Sequence, residues 1–479
     1  MAGDFYVLQH YCPTHTKQEF VISKNECSGN ITSINTTFIL LLLLLAGLIS
    51  FDGIAQPNNS VTTDTNSIQL PKSETIGNHK AVYDRNGYLL PWTSWKDALS
   101  REMTWYLNCP IQYGYPRFVW MTFMTGNYLP DTNRSDFIPA TQNGMGIISY
   151  VKYYDYDSRR NAKLIEWARY MGDYLVKEAN TPDTGAYPKF TRSTGVCAKM
   201  PQPANCGTQG DQPYDIQPDK GGIAGYALLQ LSKKTSVKIY FEQALHNARV
   251  LVKNMRIGDS LHSPWPYRAD YRTGVPRGDI SADMTYILQL FDELIIMNYP
   301  EFNQPRAKLW EWIRDRQIPN AEKDGMLWVQ FFEDHHGTDN RNAWAPLNMA
   351  RYLLERREGI DPDWLPHARV LIDFVNRTFT SVRSGVTICG EQDYDRNPWG
   401  GIVSTYGAVL AMYAKATGTN EFKALAQQAL NFAIYATDND GCPGEQASYP
   451  CRGGWQEDAH TDKIHNFIDA ITAFPEWAE

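Results

Sequence analysis

The strongest constraint on the fold is a repeat of paired segments that have helical periodicity. The first segments of successive pairs start near residues 143, 219, 280, 342, 400 and 461, so neighbouring starts differ by 76, 61, 62, 58 and 61 residues. The five complete pairs are 143–156 with 158–179, 219–234 with 237–255, 280–298 with 302–316, 342–357 with 361–379, and 400–418 with 420–437. A two-helix repeat of this length predicts an array or a closed ring.

The last first-type segment, 461–474, has no follower, and the unpaired segment 94–107 is predicted to complete it by packing beside the C-terminus. First segments are rich in Gly, Ala and aromatic residues and predict an inner ring. Second segments carry Lys, Arg and Glu on one face and predict an outer ring. We therefore expect an all-α domain of six hairpins.

Connections between hairpins are long, and in an alternating ring they all lie on one face. They are 108–142, 180–218, 256–279, 317–341, 380–399 and 438–460, and they are rich in Trp, Tyr, Asp, Arg and His. Long loops in compact domains are usually functional or disordered. The sequence therefore predicts a functional site on the long-loop face.

An apolar run near the N-terminus is typical of a targeting signal. Phe38–Ile49 is too short to span a bilayer but matches the apolar region of a secretory signal, and Gly53 and Ala55 predict cleavage before Gln56. We expect an exported protein, periplasmic or secreted, that touches a membrane only through this segment if it is uncleaved. The predicted domains are 1–55 (N-terminal segment), 56–90 (linker or loosely packed arm) and 91–479 (helical domain).

Cysteine usage agrees with export. Of the six cysteines after Gln56, Cys197 and Cys206 are nine residues apart in one loop, and Cys442 and Cys451 are nine apart in another. Local disulfides are the simplest interpretation, because neither gap suits a zinc site. Cys109 and Cys389 form a third pair or remain thiols. The net charge of −8 and the lack of a basic run argue against a nucleic-acid partner.

The hairpin count, the glycine pairs Gly221-Gly222 and Gly400-Gly401 at first-segment starts, and the turn "ATGTNEF" resemble the six-hairpin (α/α)6 toroids of carbohydrate-active enzymes. These include uronate polysaccharide lyases and dehydratases, unsaturated glucuronyl hydrolases and several glycosidases. The resemblance covers Ser94–Phe474. It implies an all-α (α/α)6 toroid and a poly- or oligosaccharide substrate, but it transfers no catalytic residue, since no single-family motif is present.

The stretch "HSPWPYRADYR" (262–272) lies on one long loop, and its composition suits neither a core helix nor a buried strand. We interpret it as one wall of a sugar site. Trp265 and Tyr271 are predicted sugar-stacking surfaces, and Arg268 and Arg272 are predicted to hold a carboxylate.

An acidic sugar suggests β-elimination, in which a base removes the C5 proton after the carboxylate is neutralised. The enzyme would then be a carbon–oxygen lyase acting on uronate saccharides, by loss of either sugar or water. The predicted catalytic residues are His262, Tyr267, Arg268, His335 and His336.

Further substrate contacts are predicted for loop and helix-start residues: Asp215, Trp344, Trp399, Glu457 and His460. No cofactor and no catalytic metal are expected, apart from a structural Ca²⁺ on loop aspartates.

Two other classes of function stay open. Hydrolysis, as in the unsaturated glucuronyl hydrolases, needs two carboxylates, and the loops and helix starts supply many, including Asp215, Asp219, Asp279 and Asp283. A non-catalytic carbohydrate-binding protein would keep the aromatic residues without needing the clustered His, Arg and acidic residues.

Overall fold

The computed structural model describes residues 74–112, 114–116, 119, 138–193, 214–332, 338–442 and 455–479. They belong to a compact unit that spans Ile68–Glu479. The predicted signal run Phe38–Ile49 and the cleavage position near Gln56 lie outside these ranges. Within them, no helix has both the length and the apolar character needed to cross a membrane.

The described chain is mainly helical. Its α-helices are α1 (Trp95–Leu107), α2 (Pro139–Tyr156), α3 (Ala162–Lys177), α4 (Pro218–Thr235), α5 (Lys238–Lys253), α6 (Thr285–Ile296), α7 (Asn303–Trp312), α8 (Ile318–Asn320), α9 (Trp344–Arg356), α10 (Trp364–Phe379), α11 (Gly400–Thr417), α12 (Lys423–Ile434) and α13 (Trp455–Ala473). A π-helical turn, Ile313–Gln317, joins α7 to α8.

The predicted inner ring is confirmed. Helices α2, α4, α6, α9, α11 and α13 contact one another in this order, and α13 returns to contact α2. Helices α1, α3, α5, α7, α10 and α12 pack outside them as the second members of hairpins. Because an antiparallel helix separates each inner helix from the next, all inner helices run in the same direction, with their N-termini at the long-loop face.

The ring closes between α1 and α13, as predicted. The Trp95 ring lies edge-to-face against Phe467, with 5.1 Å between centroids, and the Lys96 backbone N–H donates to the Ala478 carbonyl at 3.1 Å. The N-terminal helix therefore supplies the outer partner that α13 lacks in sequence.

Inner and outer helices differ in how much of their surface is buried. In the inner helix α11 every residue from Gly400 to Ala411 is buried, whereas the outer helix α10 buries a stripe that includes Leu371, Ile372 and Val375. A helix that is apolar on all sides must be enclosed, and an amphipathic one covers a core with one face. The compositional difference between the segments reflects this division.

One inner helix begins later than its periodicity predicts. The pattern starts at residue 280, but α6 begins at Thr285, whose backbone N–H donates to the Asp283 carboxylate at 2.9 Å. Residues 280–284 therefore form part of the loop-side surface of the ring.

Short strands occur within the connections: β1 (Thr75–Ile76), β2 (His79–Lys80), β3 (Val82–Tyr83), β4 (Leu89–Leu90), β5 (Ile111–Gln112), β6 (Tyr115–Pro116), β7 (Asp215–Ile216), β8 (Arg268–Asp270), β9 (Pro276–Arg277), β10 (Thr380–Arg383) and β11 (Val386–Cys389). Most pair as local antiparallel hairpins, and β7, β8 and β9 form a three-stranded sheet in that order. The expectation that 262–272 contains no buried strand was wrong, because β8 is buried along its whole length. Pairing with β7, from a different long loop, satisfies its backbone.

The predicted linker 56–90 includes residues that belong to the packed domain. From residue 74 onward it packs against the helical domain: the Leu89 N–H donates to Gln428 Oε1 at 2.9 Å, and Asn431 Nδ2 donates to the Leu89 carbonyl at 2.8 Å. Leu89 is fully buried, and the His79 ring stacks on Trp92 with 3.8 Å between centroids. The strands β1 to β4 have two residues each, which is too short for an alternating hydrophobic pattern to be recognised in the sequence.

The cysteines divide as follows. Cys109 and Cys389 are both buried thiols, so the third disulfide does not form between them. Cys442 is disulfide-bonded. Cys451, Cys197 and Cys206 lie outside the described residues, and their pairing stays a prediction.

Candidate functional site

His262 lies beside the outer helices. Its imidazole is 42% exposed, with Nδ1 2.9 Å from Asp259 Oδ1 and Nε2 3.9 Å from Asp279 Oδ1. The Asp259 carbonyl accepts the indole N–H of Trp312, at the end of α7, at 2.9 Å. The structure therefore places His262 outside the inner ring, near a groove of about 550 Å³ between α5 and α7.

Trp265 does not offer a ring face to a sugar. It is fully buried, its indole N–H donates to the Leu251 carbonyl at 2.9 Å, and its ring packs near Phe291. The prediction of a stacking surface fails because the loop folds inward between α5 and α6. Tyr267 is 1% exposed, and its hydroxyl donates to the Phe332 carbonyl.

The arginines of this loop are engaged within the sheet. Arg272 binds Asp270 through two hydrogen bonds, Nη2 to Oδ2 at 2.7 Å and Nε to Oδ1 at 3.1 Å, and stacks 3.3 Å from the Tyr214 ring centroid. The Arg272 guanidinium group already binds the Asp270 carboxylate, and these hydrogen bonds lower the pKa of Asp270. The Arg268 guanidinium lies 4.1 Å from the Tyr267 ring centroid and is 5% exposed as a residue. Arg272 is therefore already occupied by Asp270, and the role of Arg268 in holding a substrate carboxylate stays a prediction.

Asp215 and Tyr271 belong to the same sheet region. Asp215 lies opposite Asp270 in the β7–β8 register, and its Oδ1 is 3.0 Å from Nη1 of Arg277. Tyr271 is 7% exposed and packs edge-to-face on Tyr214. The structure thus brings Asp215, Tyr271 and the loop arginines together in one sheet region, where Asp215, Tyr271 and Arg268 are buried and Arg272 is exposed but paired with Asp270.

Trp344 and Trp399 stand at inner-helix starts, as predicted. The Trp344 indole donates to Glu391 Oε1 at 3.1 Å, and the Trp399 indole donates to Asp395 Oδ2 at 3.0 Å. Each is 8% exposed, so little of either ring is open to a ligand. His335 and His336, and the side chains of Glu457 and His460 on α13, lie outside the described part of the chain, and their roles stay predictions.

A different set of polar residues converges at the N-terminal ends of α2, α4 and α6. We name it the loop-side cluster; its members are Gln142, Asn143, Gln217, Asp219, Lys220, Ser281 and Asp283. All are at least 97% buried. They were not singled out as a group from the sequence, because neutral amides inside helical periodicity carry no motif.

Several members of the cluster have hydrogen-bonding capacity that the protein does not use. Within the described structure, both side-chain amide atoms of Gln142, Asn143 and Gln217 lack a hydrogen-bond partner, as does Ser281 Oγ. Buried polar groups in native proteins are nearly always paired, so each exception needs an explanation. A group of such exceptions at one place is the arrangement expected where a polar ligand binds.

Glycines allow the three helices to approach closely at this level. A Cβ on Gly144 of α2 would lie 2.9 Å from Ile223 Cγ2, and one on Gly222 of α4 would lie 2.5 Å from Ile287 Cγ1. Gly222 is one of the glycines that the sequence marked at a first-segment start. The missing side chains bring the polar first turns of α2, α4 and α6 together.

Lys220 and Asp219 form the charged part of the cluster. Lys220 Nζ lies 3.4 Å from Asp219 Oδ2 and 3.5 Å from the Phe331 ring centroid, yet it has no hydrogen-bond partner within the described structure. Asp219 Oδ1 accepts the Lys220 backbone N–H at 2.9 Å. A buried ammonium with unused donors, next to three helix N-termini, favours an anionic or oxygen-rich ligand.

Asp283 supplies a second carboxylate. One oxygen accepts the Thr285 N–H at 2.9 Å, and the other accepts Nδ2 of Asn348 at 3.1 Å. These two hydrogen bonds fix the orientation of the Asp283 carboxyl group. The cluster therefore combines carboxylates, an ammonium and amides, the groups needed to bind sugar hydroxyls and to transfer protons. Within the described residues, no group of three or more His, Cys, Asp or Glu side chains is arranged to hold a metal ion; the structural Ca²⁺ stays a prediction.

Comparison with solved structures shows the fold. The chain is similar to cellobiose 2-epimerase from Spirochaeta thermophila DSM 6192 (TM-score 0.56, 13% identity, 80% of this chain and 97% of that one). It is also similar to a D-mannose isomerase (TM-score 0.55, 11% identity, 79% and 97%) and to a family 76 glycoside hydrolase from a bovine Bacteroides thetaiotaomicron strain (TM-score 0.54, 11% identity, 79% and 78%). The fold is an (α/α)6 toroid. The sequence matches no protein-family model and none of the curated proteins.

Proposed function

We propose that this protein is a carbohydrate-active enzyme whose saccharide substrate binds at the loop-side cluster. The observation that carries the proposal is the set of buried amides of Gln142, Asn143 and Gln217 at the N-terminal ends of α2 and α4, which have no hydrogen-bond partner among the described residues. Sugar hydroxyls donate and accept hydrogen bonds and would satisfy these atoms. The similar toroids named above act on sugars, which supports the same substrate class here.

The reaction that the cluster favours is hydrolysis of a glycosidic bond by two carboxyl groups. Asp283, held by hydrogen bonds from the Thr285 backbone N–H and Asn348 Nδ2, is the group that activates water or attacks the anomeric carbon. Asp219 is the second carboxyl group: once the substrate carboxylate replaces it as the partner of Lys220, it takes up a proton and delivers that proton to the leaving oxygen. Water supplies the hydroxyl at the anomeric carbon, and the leaving sugar takes the proton.

Lys220 suggests the kind of saccharide. Its unused donors, beside neutral amides and helix N-termini, suit the carboxylate of a uronic acid. A uronate-containing poly- or oligosaccharide is therefore the proposed substrate. Export through the segment Phe38–Ile49 is part of the proposal, because it would bring the enzyme to extracellular polysaccharide.

β-Elimination is the second candidate. Lys220 favours it, because neutralising the uronate carboxylate acidifies the C5 proton. The bases first predicted for this reaction were His262, Tyr267, His335 and His336; the first two are not members of the loop-side cluster, and the last two lie outside the described residues. Elimination therefore needs a base from another part of the long-loop face.

The test incubates the protein with uronate oligosaccharides that are either saturated or unsaturated at the non-reducing end. Reducing ends and the ultraviolet absorbance of the C4–C5 double bond are followed together. Hydrolysis is expected to release reducing ends from saturated substrates without an absorbance rise, or to lower the absorbance of unsaturated ones. A rise in absorbance means elimination. If neither signal changes on any substrate, the enzyme proposal fails and a carbohydrate-binding protein is the better interpretation.

A further inference from the structure

A second chamber lies further along the ring axis from the loop-side cluster. It is a cavity of about 240 Å³ lined by α2, α4, α6, α9 and α13, with Lys152, Tyr226, Gln289, Arg351, Glu355 and His465 in its wall. Met145, Ile223 and Tyr286 form a small apolar cluster. Met145 on α2 and Ile223 on α4 lie, along their helices, between the residues of the loop-side cluster and those of the cavity wall.

The cavity opens toward the C-terminal ends of the inner helices. Asp155, on the last turn of α2, has a 53% exposed side chain, and Glu355, near the end of α9, is also exposed, whereas Thr285 and His465 in the deeper wall are each 2% exposed. Helix C-termini carry partial negative charge. The mouth therefore lies on the short-turn face, where the helix ends favour cations.

The cationic side chains around the cavity already have protein partners. Lys152 binds Asp469, and Lys234 binds Asp155 at 2.5 Å. Arg351 donates to His465 Nε2 at 2.9 Å, and its other terminal nitrogen donates to Asn466 Oδ1. These pairs leave no ammonium or guanidinium in this part of the described structure without an anionic or acceptor partner.

Two acceptors in the wall remain unused. Glu355 has no hydrogen-bond or ion-pair partner among the described residues, although Asp469 on the facing helix has two cationic neighbours. Gln289 is 7% exposed, and its Oε1 is buried without a partner in the described structure. A free carboxylate at the mouth and a free carbonyl oxygen in the wall both call for a hydrogen-bond donor.

We propose that this cavity binds a small molecule through a protonated amine. The ammonium group donates to the Glu355 carboxylate and to Gln289 Oε1, and the rings of Tyr226 and Tyr286, with centroids 6.0 Å apart, border it. The volume is below that of most drug-sized sites, so the ligand is small. The proposal does not depend on the reaction at the loop-side cluster.

The test compares glucosamine with glucose, which differ by an amine in place of one hydroxyl. Calorimetric titrations of the whole protein are run near neutral pH with ionic strength matched by NaCl. Glucosamine is expected to bind about tenfold or more tightly than glucose, because a charge-assisted hydrogen bond replaces a neutral one. Equal affinities for the two sugars overturn the proposal.

Substitutions in the cavity wall test where the amine of glucosamine binds. Glu355→Gln is expected to reduce glucosamine affinity to that of glucose, and Gln289→Leu is expected to weaken it as well. Glu311→Gln, at an exposed glutamate on the outer helix α7, is the matched control and should change nothing. If glucosamine binds Glu355→Gln as tightly as it binds the parent protein, the proposal is wrong. Circular dichroism establishes that each variant is folded, and Gln289→Leu decides the question if Glu355→Gln is not.

The variant Asp219→Asn distinguishes glucosamine binding in the cavity from glucosamine binding at the loop-side cluster. This substitution changes the loop-side cluster and should leave glucosamine affinity unchanged. Loss of glucosamine binding in Asp219→Asn would place the amine at the loop-side cluster. It would overturn the assignment to the cavity that Glu355 and Gln289 line. Saccharide turnover, measured on the same samples, reports separately on the proposed function.

Discussion

Lys463 Nζ lies 2.9 Å from Glu102 Oε2, and neither side chain is exposed to solvent. The pair joins α13 to α1, the two helices that close the ring. Thr437 Oγ1 donates to the same carboxylate oxygen at 2.9 Å and accepts from Lys463 at 2.8 Å. A charge pair at the seam of the toroid thus replaces apolar packing at one point of its core.

Removing one partner of this pair should be costly. Lys463→Met is expected to lower the free energy of unfolding by about 3–5 kcal/mol, because it leaves the Glu102 carboxylate buried and uncompensated. Lys463→Met combined with Glu102→Gln should recover part of the loss. Denaturant unfolding measures both; Lys423→Met, which breaks an exposed pair with Glu476, is the control and should cost less than about 1 kcal/mol. A double variant less stable than the single one would contradict this account.

The proposed reaction makes a direct prediction for Asp283. Asp283→Asn keeps the size of the side chain but removes its charge, and it is expected to lower kcat by about 10²–10⁴-fold, the usual contribution of a positioned acid or base. Asp361→Asn is the matched control: Asp361 is equally buried, but it binds His367 on the outer helix α10. Initial rates on the active saccharide, with circular dichroism of each variant, test it. Equal kcat values for the two variants would remove Asp283 from the mechanism.

The sequence predicted the ring because its signal is repeated. The segments 143–156 and 400–418, among others, each show helical periodicity, and their regular spacing gives six hairpins even where single boundaries move by several residues. The start of α6 moved from 280 to Thr285, whose backbone N–H donates to the Asp283 carboxylate, a contact that periodicity does not reveal.

The site was harder to predict because its members come from three separate helix starts. Trp265 and Arg272 stood out as unusual residues on a long loop, yet the loop folds inward: Trp265 donates to the Leu251 carbonyl on α5, and Arg272 pairs with Asp270. Gln142, Asn143 and Gln217 are unremarkable in sequence and become conspicuous only when burial leaves their amides without partners. The glycines that follow them, such as Gly144 and Gly222, were the available signal, since they permit close helix approach.

Close approach at Gly222 can be tested by adding one methyl group. In Gly222→Ala the new Cβ would lie 2.5 Å from Ile287 Cγ1 and 3.3 Å from the Ile287 backbone N, so α4 and α6 must separate. A loss of about 1–3 kcal/mol in unfolding free energy is expected despite the better helix propensity of Ala. Gly359→Ala, where nothing lies within 4 Å of the new Cβ, is the control. Thermal or urea unfolding that ranks the two variants equally would contradict the packing argument.

The Asp270–Arg272 pair should contribute to stability in a pH-dependent way. The hydrogen bonds from Arg272 lower the pKa of Asp270 in the folded state, so the stabilisation is present above the ordinary Asp pKa of about 3.9 and is lost as pH falls through the lowered value. Arg272→Met should therefore destabilise the protein at neutral pH, and the difference should shrink on acidification. Arg314→Met breaks a pair with the exposed Asp315 and should have little effect at any pH. Urea unfolding across a pH series checks both, and a constant Arg272→Met deficit down to acidic pH would contradict the linkage.

Glu355 should show the opposite dependence. Glu355 is exposed as a residue, but partial desolvation of its carboxyl group at the cavity mouth, together with the negative charge of Asp469, raises its pKa; Lys152, Arg351 and Arg356 act in the other direction. Because the folded-state pKa is raised, folding binds the proton more tightly than the unfolded chain does. The stabilising contribution is therefore complete below the ordinary Glu pKa and is lost as pH rises through the raised value.

Glu355→Gln removes this titration. Its unfolding free energy should exceed that of the parent protein at neutral pH, and the two should converge below about pH 4, near the ordinary Glu pKa. Urea unfolding of both proteins from acidic to neutral pH measures the difference, with Glu311→Gln as the control that shows no such divergence. A Glu355→Gln difference of constant size across the series would mean that the carboxyl group is solvated as in the unfolded chain. Glucosamine at saturating concentration should narrow the neutral-pH difference, because the bound ammonium group stabilises the same carboxylate that burial destabilises.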